Sequence, residues 1–142
     1  MKYLFSLLAG LMFSFALQAQ DIVGKWKTID DETGKAKSIV EITLKDGVYV
    51  GTILELFRAP DEVQDPYCTP CTDDRKDQRI TGMQIVRGMK KDGDELKGGT
   101  ICDPKNGKVY DCKMWIEEDP NTLFVRGYVA FFFRTQEWIR VQ

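Results

Sequence analysis

The chain has 142 residues, of which 43% are hydrophobic and 30% charged, and a formal net charge of −2. Its charges are interspersed, which excludes the concentrated basic stripe that nucleic acid requires, and no basic amphipathic segment suggests a membrane surface. Histidine is absent, so the commonest general base and the commonest metal ligand are both missing.

The N-terminus reads Met1-Lys2-Tyr3, then an apolar run over residues 4–17, then Gln18-Ala19-Gln20. One positive charge, a short apolar run and a small residue have the order of a secretory signal. Residues 1–19 are therefore expected to be cleaved, leaving one periplasmic or secreted domain over 20–142. A spanning helix needs about twenty apolar residues, and no other stretch comes close, so no membrane insertion is expected after cleavage.

Beyond the leader, strand-like runs alternate with turn clusters and no long helical period is present. Residues 24–30 form a first predicted strand, closed by Asp31-Glu32-Thr33-Gly34. Residues 37–44 alternate, with Val40, Ile42 and Leu44 on one face and Glu41 and Thr43 on the other. Lys45-Asp46-Gly47 then turns the chain into residues 48–57, and Asp-Gly between two such runs is a strong hairpin signal.

The next stretch, 58–79, is polar, proline-rich and carries two cysteines. A connection of that length in a small domain is either functional or stapled. Five further strands are predicted at 83–89, 95–102, 108–117, 123–130 and 135–141. The last hairpin is the weakest, because Phe131-Phe132-Phe133-Arg134 holds no turn residue. Eight short strands joined mostly by tight turns predict an all-β, eight-stranded antiparallel up-and-down barrel. A β-sandwich is the alternative.

Gly24-x-Trp26 opens the first strand and Trp138-Ile139-Arg140 closes the last. This bracket resembles the calycin superfamily, the lipocalins and their relatives, in which the tryptophan plugs one barrel end and the late arginine packs across it. The resemblance assigns barrel closure to Trp26 and Arg140, with the guanidinium stacked on the indole. Further motifs are Gly51-x-Ile53, Gly82-Met83, Gly98-Gly99, Asp103-Pro104-x-x-Gly107-x-x-Tyr110, Arg126-Gly127-Tyr128 and Arg134-Thr135-Gln136-x-Trp138-x-Arg140. Together they resemble the exported bacterial family catalogued as domain of unknown function 2147. The segment 65–79 departs from that family, having Asp65-Pro66-Tyr67-Cys68 and a cysteine pair where many members carry an Asn-Pro-containing polar stretch. The resemblance implies a calycin-like barrel and a periplasmic address, and it implies no reaction.

Four cysteines in an exported chain read first as disulfides. Cys68-Thr69-Pro70-Cys71 suits a local bond. For Cys102 and Cys112, a four-residue turn between Asp103 and Lys108 sets Cys102 opposite Val109 and Cys112 opposite Gly99. The two thiols then face opposite sides of the sheet, so a Cys102–Cys112 bond needs a bulge near Asn106-Gly107. Otherwise both stay free, or one reaches the loop cysteines. Thiol redox chemistry lacks the helix N-terminus that activates a Cys-x-x-Cys thiol. A four-thiolate zinc site lacks a second close pair.

The carboxylates sit mostly in turns, Asp103 among them, and no pair is marked for acid–base work. No catalytic residue, cofactor or metal is therefore expected. Phe124, Arg126 and Tyr128 alternate on one face of the seventh strand, where arginine and tyrosine suit a carboxylate head group, as in fatty-acid-binding calycins. The other face, Leu123, Val125, Gly127 and Val129, is at least as apolar, and burial therefore favours Val125 and Val129 inside and Arg126 at the surface. Tyr110 lies on a further apolar face with Cys112, Met114 and Ile116, and joins the candidate ligand set.

The leading expectation is binding of a small apolar or amphipathic molecule in the barrel or at its mouth. The alternative is a solid barrel acting as a protein-interaction or envelope-stress module through residues 58–79.

Overall fold

In the computed structural model the described residues are 21–142; the expected leader lies outside them. Eight strands follow one another: β1 (Gly24–Ile29), β2 (Ala36–Lys45), β3 (Val48–Leu56), β4 (Gln84–Asp92), β5 (Glu95–Asp103), β6 (Lys108–Ile116), β7 (Thr122–Val129) and β8 (Phe132–Arg140). Each pairs antiparallel with the next, and β1 pairs with β8, so the sheet is a closed up-and-down barrel. Closure removes the two edges that an open meander would leave unpaired.

Alternation decides what fills the barrel. Along β6 and β7 the pairs Cys112↔Gly127, Met114↔Val125 and Ile116↔Leu123 face inward, and Lys113↔Arg126 and Trp115↔Phe124 face outward. Trp26, Val40, Ile42, Val86, Met89, Leu96, Met114, Leu123 and Trp138 meet in one buried cluster. Toward the loop end the interior turns polar, and the Thr28 and Ser38 hydroxyls satisfy each other at 2.7 Å.

Glycine tightens this packing. A Cβ on Gly99 would fall 2.6 Å from the Met89 amide nitrogen and would also strike the Arg87 carbonyl, so β4 and β5 meet this closely only without one. The interior is thus occupied by the protein's own side chains, as an eight-stranded barrel permits.

The up-and-down order gives the barrel two unlike ends. Trp26 and Arg140 lie at the end that also receives the β2–β3, β4–β5 and β6–β7 turns. The other end carries the β1–β2, β5–β6 and β7–β8 turns and the long β3–β4 connection.

The β7–β8 hairpin is tighter than the sequence suggests. Strand β8 begins at Phe132 rather than at 135, after a two-residue turn of Ala130 and Phe131. Ala130 supplies the left-handed backbone, at φ 50°, that glycine or asparagine ordinarily provides.

The long connection is a folded lobe on the outer wall. A short ladder runs through it: the Cys68 N–H donates to Gln78 O, Asp77 N–H to Cys68 O, and Ile80 N–H to Pro66 O. Asp74 pairs with Arg87 of β4 at 2.7 Å. Arg75, buried, donates from Nη1 to Gln84 O and from Nε and Nη2 to Asp73. A Cβ on Gly107 would lie 2.7 Å from the Cys71 amide nitrogen, so the lobe seats against the β5–β6 turn because that residue is glycine.

Candidate functional site

The plugged end is built from few contacts. The Arg140 guanidinium carbon lies 4.2 Å from the Trp26 ring centroid. Arg140 Nη2 also donates to Asp21 O at 2.8 Å and Pro120 O at 3.1 Å, tying the segment before β1 and the end of β8 to the β6–β7 turn. Trp26 Nε1 donates to Ile22 O, so the indole is buried with its donor satisfied.

The β7 residues singled out for binding do not line the interior. Phe124, Arg126 and Tyr128 all point outward, because Leu123, Val125 and Gly127 occupy the inward positions. Arg126 lies between two rings, 4.9 Å from Trp115 and 4.3 Å from Phe133, and its Nε donates to Thr135 Oγ1 at 2.8 Å. Phe124 stacks on Trp115 at 5.4 Å, and Tyr128 meets Phe133 at 6.2 Å. Burying aliphatic carbon while leaving a guanidinium in water decides which face turns inward. Tyr110 points inward at the loop end, half-buried, where its hydroxyl accepts from Asn106 Nδ2 at 3.3 Å. The four candidate residues therefore form no single lumenal site.

Two open surface grooves lie outside the barrel. An open groove of about 500 Å³ runs between Pro70 and Thr72 of the lobe and Val109, Tyr110 and Val129. A second, of about 530 Å³, continues along β6 over Lys97, Gly98 and Lys113. They share Asp111 and Tyr128, a cross-strand pair, and so form one trough on the outer face of β6. Lys113 and Lys97 both pair with Glu95, at 2.8 and 2.9 Å, and hold its carboxyl below the usual range.

Sequence reasoning missed Val109, Asp111 and Val129 in this trough. A signal for Val109 was present, since it shares the outward parity of β6 with the charged Asp111 and Lys113. It also missed the apolar tip beside the trough: Phe131, Phe132 and Phe133 are 98%, 79% and 61% exposed.

Cys68 and Cys71 are joined as a disulfide, while Cys102 and Cys112 are free and buried. A Cys102–Cys112 bond is ruled out by register. Cys102 pairs with Val109 and Cys112 with Gly99, with no bulge between, so one thiol points out and the other in. Burial pushes the Cys112 thiol up to about 12. Burial also raises the Cys102 thiol, with Arg75 pulling the other way.

The turn carboxylates serve the backbone. Asp30 accepts from the Glu32 and Thr33 amides, Asp103 from Lys105 and Asp119 from Asn121. These bonds lower Asp30 and Asp119 below the ordinary carboxylate value. Among the described residues, no group of three or more cysteine or carboxylate side chains is placed to hold a metal ion.

A tryptophan-plugged, closed barrel of eight antiparallel strands is a lipocalin-like fold. The solved structure of protein HP1028 from Helicobacter pylori, described as belonging to the lipocalin family, matches with a TM-score of 0.71. The match has 16% identity and covers 86% of this chain and 84% of that one, so it speaks for the fold alone. The chain belongs to the family described as an uncharacterized protein conserved in bacteria (DUF2147), whose model matches residues 24–140. No curated protein matches the chain.

Proposed function

We propose that this is an exported binding protein, working outside the cytoplasm, which holds a small, partly apolar molecule in the trough along the outer face of β6. The observation that carries the reading is the placement of open volume. The interior is occupied by Trp26, Met89, Met114 and Trp138, whereas the two open grooves join at Asp111 and Tyr128 outside. Val109, Val129 and the Tyr128 ring offer an apolar floor, Lys108 offers positive charge beside it, and Lys97 and Lys113 line it while paired with Glu95. Such a mixture of apolar surface and a few polar groups suits an amphipathic molecule with an anionic group. Export is supported by the leader-like N-terminus and by the Cys68–Cys71 disulfide, which an oxidising compartment maintains.

Native mass spectrometry of protein purified from its own host tests the reading. A small-molecule adduct is expected on the unaltered chain and is expected to be lost on Tyr128→Ala. Repeated absence of any adduct, or an adduct indifferent to Tyr128, overturns it. A second reading, a protein-contact module, is favoured by one observation, the exposed tip at Phe131, Phe132 and Phe133. Exposed contiguous aromatic surface marks interaction sites in soluble proteins. It predicts a co-purifying protein that Phe132→Ser releases.

A further inference from the structure

Three of the four sulfurs converge where the lobe meets the barrel. The Cys102 Sγ lies 3.9 Å from the Sγ of Cys71, which is bonded to Cys68. The approach is made from two sides: Gly107, lacking a Cβ, admits the chain at Pro70 and Cys71, and the outward parity of Cys102 aims its thiol at the lobe. All three residues are buried, Cys68 and Cys102 at 0% and 2% exposure, so other thiols reach them poorly while they reach one another. The leaving Cys68 sulfur is also provided for. It stands 3.5 Å from the Pro104 carbonyl oxygen, an acceptor for a thiol proton.

We infer that Cys102 is the internal exchange partner of the lobe disulfide. Its thiolate attacks the Cys71 sulfur, the Cys71–Cys102 bond forms as the Cys68–Cys71 bond breaks, and Cys68 leaves as a thiolate that takes up the proton Cys102 gave up. One disulfide and one thiol are present before and after, so the step needs no oxidant or reductant. The two isomers differ in what they hold. Cys68–Cys71 closes a ring across a sequence separation of 3 and shapes the lobe alone. Cys71–Cys102 spans a separation of 31 and staples the lobe to the barrel wall, next to the Pro70 and Thr72 side of the trough. Cys112, facing the interior, takes no part.

The test uses the mature chain carrying Cys68→Ser, refolded from urea in oxidised glutathione and mapped by non-reducing peptide mass spectrometry. The expected product is a Cys71–Cys102 linkage with Cys112 alkylatable after unfolding. Cys71 persisting as a thiol or as its glutathione adduct, with Cys102 free, overturns the inference. Should that variant fail to fold, the unaltered protein is incubated at mildly alkaline pH, acid-quenched, unfolded in urea and alkylated with N-ethylmaleimide. Alkylation of Cys68, abolished by Cys102→Ser, is then the expected result, and alkylation of Cys102 and Cys112 alone is the contrary one.

Discussion

The two ends of this barrel are made on different terms. At the plugged end, Trp26 is buried under Arg140, and Arg140 binds the carbonyls of Asp21 and Pro120, so the segment before β1, the end of β8 and a turn are tied at one point. At the loop end, side chains are left over. Three phenylalanines stand in solvent, a half-buried Tyr110 faces the mouth, and a lobe with its own disulfide lies against the wall. The difference teaches where to look for function in a filled barrel. The plugged end spends its contacts on closure, and the proposed binding surface lies at the loop end and along the outer face of β6.

Substitution tests that contrast most sharply at the core. Trp26→Ala and Trp138→Ala are each expected to cost about 3–5 kcal/mol, since each empties a fully buried site in close packing. Phe132→Ser, at the loop end, is expected to change stability by less than about 0.5 kcal/mol. Urea denaturation of the three variants checks this, and equal losses would erase the distinction. Gly99→Ala comes next, at about 1–3 kcal/mol, because the new methyl meets backbone atoms of β4 that cannot swing away. Ala130→Gly works in the opposite direction. It relieves a left-handed alanine at the loop-end hairpin and is expected to add about 1 kcal/mol, read as a higher urea midpoint.

The smallest effect concerns pH and separates the lobe from the barrel. Bonds from Arg75 hold the Asp73 carboxyl at about 2, below its ordinary value of 3.8. A depressed carboxylate contributes stability above its unfolded value and loses it as the pH falls through the folded one. The lobe is therefore expected to loosen as pH drops from about 3.8 toward about 2. Its loosening would uncover Cys102 to dithiodipyridine, a disulfide reagent that reacts in acid. Cys112, inside the barrel, is expected to stay protected over the same range, and simultaneous labelling of both thiols would show that lobe and barrel yield together.

Much of the architecture was legible in the sequence for local reasons. Alternation over 40–44, the Asp46-Gly47 turn and the four-residue turn before Lys108 mark strands and turns through neighbouring residues alone, and the β5–β6 pairing is the one that turn implies, whereas the bulge at Ile39 and Val40 that shifts the β2–β3 register left no such local mark. The inward face of β7 was legible only as a preference for Val125 inside and Arg126 outside, because Leu123, Val125 and Gly127 compete with Phe124 and Tyr128 on hydrophobicity. Only the partners on β6 decide between them. The start of β8 was hidden because Ala130 adopts a backbone its side chain disfavours. The seating of the lobe depends on Asp74 reaching Arg87 and on Gly107 making room at Cys71, contacts between segments far apart in the chain.

The central claim is that the interior is filled and that binding space lies outside it. Methyl NMR under xenon pressure tests this most directly, since xenon enters empty apolar cavities. The methyls of Met89 and Met114, which point into the barrel, are predicted to hold their positions as xenon is added. Saturable shifts at those two methyls would reveal an interior cavity and contradict the account.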